Sequence, residues 1–410
     1  MTPFYEDESV SVFHGDCREV MDGLEPESVD AVVTDPPYEL RFMGQSWDGT
    51  GVAYLPETWA AALRVLKPGG HLLAFGGTRT FHRMTVAIED AGFEVRDCLS
   101  WLYGSGFPKS LDVSKAIDKA AGAEREVVGR YNSDRNWRGS ADPDDARYEG
   151  RGDVIGGSRQ GHIPVGTRMR DITAPGTPEA AQWEGWGTAL KPAWEPIVLA
   201  RKPLQGTVAG NVLAWGTGAL NIDGTRIPTD DRFGGGAKAT SGFVDGYEHD
   251  GWKAGSEAGR WPANVVLDDD AATTLDQQSG DAPPSERTGR KEYQAGIYGP
   301  NRQPGDEWGY TDSGGASRFF YTAKASKADR GEGNNHPTVK PVSLMRWLVR
   351  MVTPPGGLIL DPFAGSGTTA EAAIIEGFRA TLIEAHEPYL PIIERRLRRP
   401  MQPGMFGGAA

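Results

Sequence analysis

Two strand-and-turn segments at opposite ends of the chain constrain its fold more than any other feature of these 410 residues. Residues 29–38 read VDAVVTDPPY and residues 358–369 read LILDPFAGSGTT. Each is a short apolar run that stops at an aspartate and a turn, the pattern of a strand buried on both faces of a sheet. The first turn offers a carboxylate, two prolines and an aromatic ring. The second is a glycine loop able to cradle a nucleotide-like ligand. Ligands in open α/β folds bind outside the carboxyl ends of the strands, where both aspartates would stand.

The segments around them support an α/β reading. VSVFHGD (residues 10–16) alternates as a strand, and TWAAALRVLKPGG (58–70) has helical spacing and a Lys-Pro-Gly-Gly stop. HLLAFGG (71–77) is a strand, residues 81–91 a helix, and FEVRDCLSWLYG (93–104) another strand. The alternation predicts a parallel sheet covered on both faces. Residues 109–187 break the pattern with a loop-rich insertion, and WEPIVLARKP (194–203) returns as a strand. Residues 205–334 are irregular again, and so long an insertion within an α/β protein is usually functional. HPTVKPVSLMRWLVRMV (336–352) restores a helix, followed by the glycine-loop strand, a helix, strand ATLIE (380–384) and a last helix.

Composition excludes some classes. Glycine and proline make up about a fifth of the chain, consistent with long loops around a compact centre. Cys17 and Cys98 form no CxxC or Cys/His cluster, so neither a disulfide framework nor a metal site is expected. No signal peptide or apolar run near 18 residues is found, and a cytoplasmic location is expected. The net charge of −13 argues at first sight against nucleic acid, but local surface decides phosphate binding. The basic run RRLRR (395–399) reads as solvated surface.

The two turns have complementary chemistry. The glycine loop formally fits G-x-G-x-x-G/A, with Glu384 at the next strand end to hold ribose hydroxyls. Asp361 beside the loop suits a cationic ligand without phosphates, as S-adenosylmethionine is. At the other turn, an exocyclic amine on a base is a poor nucleophile because its lone pair is delocalised into the ring. If Asp35 and the Pro36 carbonyl accept its two N–H bonds, the nitrogen is drawn toward sp³ geometry and can attack a methyl in line. Tyr38 offers a face for an extruded base, and the prolines stiffen the acceptor.

These residues resemble the amino-group DNA methyltransferases, which act on N6 of adenine or N4 of cytosine. DPPY is similar to that family's catalytic motif, and DPFAGSGTT to its S-adenosylmethionine loop. The order, catalytic motif first, resembles the beta class. HPTVKP (336–341) and HGDC (14–17) are similar to further elements near the cofactor, and the irregular segments resemble phage, prophage or restriction-modification enzymes. The resemblance implies a circularly permuted, seven-stranded Rossmann-like sheet with a loop-rich inserted target-recognition region. Its expected parts are a catalytic half (1–108), an insertion (109–187), a returning strand (188–204), a target-recognition region (205–334), a cofactor half (335–400) and a flexible tail (401–410). It implies Asp35, Pro36, Pro37 and Tyr38 for catalysis. For S-adenosylmethionine it implies Asp361, Pro362, Phe363, Ala364, Gly365, Ser366, Gly367, Thr368, Thr369, Glu384, Thr338, Lys340 and Asp16. Double-stranded DNA is the implied partner and no membrane is; a homodimer and a cognate restriction endonuclease stay open.

Asp at the head of the tetrapeptide leans toward adenine, with N4-cytosine the nearest rival. A methylase-like protein that binds DNA without turnover, and a nicotinamide dehydrogenase, are further alternatives. The second leaves DPPY unexplained, and modification of a protein glutamine usually goes with Asn in place of Asp35. Trp183, Trp186, Trp215, Trp252 and Trp261 offer rings for base stacking, although packing is the commoner fate of tryptophan.

Overall fold

The computed structural model describes residues 2–40, 46–104, 106, 110–132, 169–229, 259–284, 287–288, 307–308, 312–324, 329, 334 and 339–400. The chain divides into two compact units, residues 1–105 with 193–410, and residues 106–192.

The larger unit is built on a sheet whose strands in chain order are β1 (Tyr5–Glu6), β2 (Val10–His14), β3 (Val29–Thr34), β4 (Leu66–Phe75) and β5 (Glu94–Leu102). The smaller unit holds β6 (Val127–Asn132) and β7 (Met169–Thr173), and the larger resumes with β8 (Trp194–Arg201) and β9 (Val265–Asp268). A two-residue ribbon pairs β10 (Arg287–Thr288) with β11 (Glu307–Trp308), and β12 (Tyr321–Ala323), β13 (Leu358–Asp361) and β14 (Arg379–Glu384) complete the chain. Among the described residues the main sheet has ten strands in the order β1-β2-β14-β13-β3-β4-β8-β5-β9-β12. The seven from β2 to β5 form the expected permuted sheet. Short β1 extends one edge, and β9 and β12 extend the other.

Three expectations are corrected. The sheet is mixed, because β8 runs antiparallel between β4 and β5. The segment after helix Pro56–Val65 is no simple stop, since β4 already starts at Leu66 and its pairing with β3 shifts register between Val29 and Ala31. Gly69 makes that entry possible. Its φ is +77°, and a Cβ there would lie 2.4 Å from Asn211 Nδ2, which donates to the Pro68 carbonyl. The segments of 205–334 that form β9 and β12 are sheet rather than irregular loop.

The apolar runs are continuous because both faces are covered. Val33, Leu73 and Phe75 pack toward helices Val342–Val352 and Thr368–Glu376, while Val32, Leu72 and Ala74 pack toward helices Cys17–Asp22, Pro56–Val65 and Phe81–Asp90. No described helix is long and apolar enough to cross a membrane.

In the smaller unit, β6 and β7 form an antiparallel pair, and the unit also holds helices Val113–Ala121 and Pro178–Gln182. Buried Asp118 organises it. The carboxylate pairs with Arg125 and accepts from Gly176 N at 2.9 Å and Thr177 Oγ1 at 2.8 Å.

Buried Asp30 ties three strands of the larger unit. It accepts from Lys67 Nζ at 2.6 Å and from the backbone N–H of Leu358 at 2.7 Å. Asp30→Ala would leave that backbone donor unpaired, and a loss of about 1–3 kcal/mol is expected. Denaturant unfolding of the variant checks this; an unchanged midpoint would show that the tie contributes nothing.

Candidate active site

Strand β3 delivers the chain to the sheet edge at Thr34, and the DPPY turn follows. Lys340 Nζ donates to Asp35 Oδ2 at 2.6 Å. The other carboxylate oxygen, Oδ1, is buried and has no hydrogen-bond partner among the described residues. An unsatisfied buried acceptor is costly and calls for an explanation. Pro36 is buried and Pro37 half-buried. The Tyr38 hydroxyl donates to Glu195 Oε2 at 2.8 Å and receives Lys340 Nζ at 3.1 Å, while Nζ stands 3.4 Å from Glu195 Oε2. The turn is pinned beyond Tyr38: Thr80 Oγ1 donates to the Tyr38 carbonyl at 2.8 Å. Glu39 takes a left-handed φ of +57° and is held there by its N–H on Asp48 Oδ1 at 2.9 Å and its carboxylate on Gly51 N at 2.7 Å.

The second turn lies beside the first. Asp361 at the tip of β13 accepts from Thr34 Oγ1 at 2.6 Å, from Thr369 Oγ1 at 2.5 Å and from Phe363 N at 3.1 Å. Glu384 at the tip of β14 accepts from Gly365 N at 2.7 Å and from His386 N at 2.7 Å. Its carboxylate therefore shapes the loop as well as facing the edge. Ala364 N donates to the Ile383 carbonyl, and buried Thr368 meets Ser366 Oγ at 3.2 Å. Gly367 caps the following helix at φ +77°, and a Cβ on it would stand 3.1 Å from Ile393 Cγ2. Phe363 packs against Trp59, its ring centroid 6.5 Å away, and Pro362 completes the turn between Asp361 and Phe363.

Burial dominates the electrostatics. It pushes Asp361 up to about 6 against the hydrogen bonds from Thr34, Thr369 and Phe363, with the charge of Asp35 adding to the rise. It pushes Glu384 up to about 7 against the N–H groups of His386 and Gly365. Tyr38 is held well above the usual tyrosine range by burial and by the charges of Asp35 and Glu195. For Lys340, burial works to lower the value, but Asp35 and Glu195 outweigh it and hold the ammonium protonated.

The sheet thus brings Asp35–Tyr38, the loop 361–369 and Glu384 to one edge. Asp16 joins them through β2. Its neighbour Gly15 donates to the Glu384 carbonyl at 3.2 Å, while its carboxylate caps helix Cys17–Asp22 and pairs with Arg18. Lys340, expected in the cofactor pocket, places its ammonium on Asp35. Thr338 lies outside the described residues, as do His336 and Trp252. The RRLRR run is not all solvated: Arg396 is buried, donates to the Ser366 carbonyl at 2.7 Å and pairs with Glu371, bracing the glycine loop from behind. Trp183 and Trp186 form an exposed edge-to-face pair within the smaller unit, Trp261 is exposed under Arg226, and Trp215 donates to Gln205. Thr34, Thr80 and Glu195 belong to the site but carry no motif of their own. Position alone, one residue before DPPY for Thr34 and the start of a returning strand for Glu195, was the available signal.

The loop fits a cationic nucleotide-like ligand. Residues 361–369 contain no lysine or arginine, and two buried carboxylates with raised affinity for a proton flank them.

Comparison with known proteins agrees. A family model described as DNA methylase matches residues 29–395. The DNA adenine methyltransferase YhdJ of Escherichia coli K12 is 42% identical over 66 residues, 16% of this chain and 22% of its own length. The Type II methyltransferase M.HindIII of Haemophilus influenzae is 22% identical over 321 residues, 77% of this chain and 60% of its own. The chain therefore spans less than two thirds of either relative. The solved PvuII DNA methyltransferase, cytosine-N4-specific, superposes with a TM-score of 0.46 at 14% identity, covering 97% of this chain and 89% of that one. S-adenosylmethionine is the methyl donor of the matched family. The glycine loop, the DPPY turn and the match across residues 29–395 place this chain in the amino-group DNA methylase family.

Proposed function

We infer that the chain transfers a methyl group to the exocyclic N6 amine of adenine in double-stranded DNA. One observation carries the reading: among the described residues Asp35 Oδ1 is buried and unpartnered beside the glycine loop, while Lys340 holds Oδ2. An acceptor so fixed is satisfied by an N–H donor entering the pocket, and a base amine is such a donor. Asp at this position and the YhdJ relative favour adenine.

When bound, S-adenosylmethionine would supply its sulfonium methyl as the electrophile, the C–S bond breaking to leave a neutral thioether. Asp361 and the loop to Thr369 would hold its methionine and sugar ends, with Glu384 on the ribose hydroxyls. Asp35 Oδ1 and the Pro36 carbonyl take the two amine hydrogens and localise the nitrogen lone pair. Tyr38, locked by Glu195 and Thr80, bounds the pocket where an extruded base would stack. The nitrogen that gains the methyl carries one surplus proton, and Asp35 Oδ1 is placed to accept it. Residues between the two halves, 205–334, are the proposed DNA-reading region.

Methyl transfer from labelled cofactor to mixed unmethylated DNA, followed by nucleoside mass spectrometry, tests the reading. N6-methyladenine is expected. N4-methylcytosine would overturn the base assignment while keeping the site, and unlabelled DNA would overturn the function.

Asp35→Ala should lower turnover by about 10²–10³-fold, as the loss of a transition-state hydrogen-bond partner does, with cofactor affinity retained. Wild-type turnover would remove Asp35 from catalysis. Gly367→Val puts a β-branched side chain at φ +77° against Ile393 and should abolish cofactor binding in equilibrium dialysis; normal affinity would refute the loop assignment.

Cofactor affinity should also depend on pH. Asp361 and Glu384 bind protons more tightly in the folded than in the unfolded chain, so the free protein's stability falls as pH rises through about 6 and about 7. The cationic ligand favours both ionised carboxylates, so its affinity should rise over the same window and level off above it, with proton release seen by calorimetry. Affinity that is flat across that window would show that neither carboxylate titrates on binding.

A further inference from the structure

Glu195 is named by no motif, yet it stands in the middle of the catalytic turn. It comes from β8, whose antiparallel course brings its first residues to the edge where the parallel strands end, with Trp194 opposite Leu102 and Glu195 opposite Trp101. One of its oxygens, Oε2, is shared by the Tyr38 hydroxyl at 2.8 Å and the Lys340 ammonium at 3.4 Å. Lys340 spends its strongest bond on Asp35 Oδ2 at 2.6 Å, and only the unbonded Oδ1 is left for an incoming donor.

We propose that Glu195 is the positioning residue of the methyl-transfer site, acting through Lys340 to fix the Asp35 carboxylate with Oδ1 toward the acceptor amine and through the hydroxyl to fix the Tyr38 ring. This rests on the methyltransferase reading above. The physical need is clear. A carboxylate on a turn can rotate about its terminal torsion and offer either oxygen, and only a partner fixed from elsewhere selects one. Lys340 is that partner, but a lone ammonium between a carboxylate and two aromatic rings, Tyr38 and Phe75, has a long flexible stem. Glu195 adds the second anion that anchors it. The same contact restrains Tyr38, whose buried hydroxyl donates to Glu195. Glu195 touches neither reacting atom, so its effect must pass through these two neighbours.

The arrangement has a charge consequence. Lys340 is faced by Asp35 and Tyr38 from the turn after β3, by Glu195 from β8 and by Tyr103 from beyond β5. Removing the Glu195 charge leaves burial less opposed, and the ammonium then loses its proton at a lower pH. A neutral Lys340 holds Asp35 less firmly, so the alkaline limb of the rate profile should move down.

The test compares wild type with Glu195→Gln, Lys340→Met and the double variant on mixed unmethylated DNA. Equilibrium dialysis with labelled S-adenosylmethionine, applied to each protein, certifies an intact sheet and loop. Glu195→Gln keeps shape and an acceptor for Tyr38 but removes the charge. It should bind cofactor within about twofold of wild type, lose about tenfold or more in kcat, as a misplaced reacting group does, and show its alkaline limb at lower pH. If Glu195 acts through Lys340, the double variant should be no slower than Lys340→Met alone. Unchanged kcat and pH profile in Glu195→Gln, or fully multiplicative losses in the double variant, would overturn the proposal while leaving wild-type methyl transfer intact. Absence of transfer by wild type would overturn the function and, with it, this role.

Discussion

The junction between β3 and β13 is the contact on which the site depends. These strands are separated by more than three hundred residues of chain, yet they pair in parallel, Ala31 with Ile359 and Val32 with Leu360. Side chains lock the pairing at both ends. Asp30 takes the Leu358 N–H at one end, and Thr34 donates to Asp361 at the other. Because register is fixed to the residue, the aspartate after Thr34 and the aspartate ending β13 emerge side by side. A slip of one residue would exchange the faces that the slipped strand presents to the two helical layers and part the two carboxylates. The DPPY turn and the glycine loop thus derive their relative position from backbone pairing and not from the loops themselves.

Around that junction the protein concentrates charge where it also excludes water. Asp35, Glu195 and Lys340 share one pocket with Tyr38, and Asp361 and Glu384 lie on the neighbouring strand tips. Taking such groups out of water costs several kcal/mol each unless partners compensate. The compensation is uneven. Asp361 has three donors and Lys340 two carboxylates, whereas one oxygen of Asp35 has none. Preorganised sites carry this asymmetry, because the unmet bond is reserved for a group that arrives later.

Much of this was legible in the sequence. The strands at 29–34, 358–361 and 379–384 announce themselves as apolar runs ending in turns, and glycine and proline mark the loops. What escaped was orientation and partnership. An apolar run such as EPIVLA says that a strand is buried but not which way it runs, so the antiparallel course of β8 was hidden, and with it the arrival of Glu195. The KPGG segment has the chemistry of a helix stop and is also the first part of β4, because the Asn211 and Lys202 contacts that hold it come from far along the chain. Lys340 was recognised as a site residue and associated with the other ligand, since motif spacing does not tell which of two adjacent turns a long side chain reaches. The RRLRR run looked like solvated surface because the carbonyl and the carboxylate that bury Arg396 belong to a separate segment.

The strand order also bears on how the molecule is made. β2 and β3 lie close together in sequence but leave a gap two strands wide, which β14 and β13 fill. During synthesis the N-terminal strands emerge first and must wait for residues 358–384 before the middle of the sheet can close. Pairings so distant along the chain are slow to form, and the open strand edges are exposed to aggregation in the meantime. The ribosome therefore releases the DPPY turn long before the strand that completes its surroundings, so a nascent chain cannot acquire this geometry until residues 358–384 have been made.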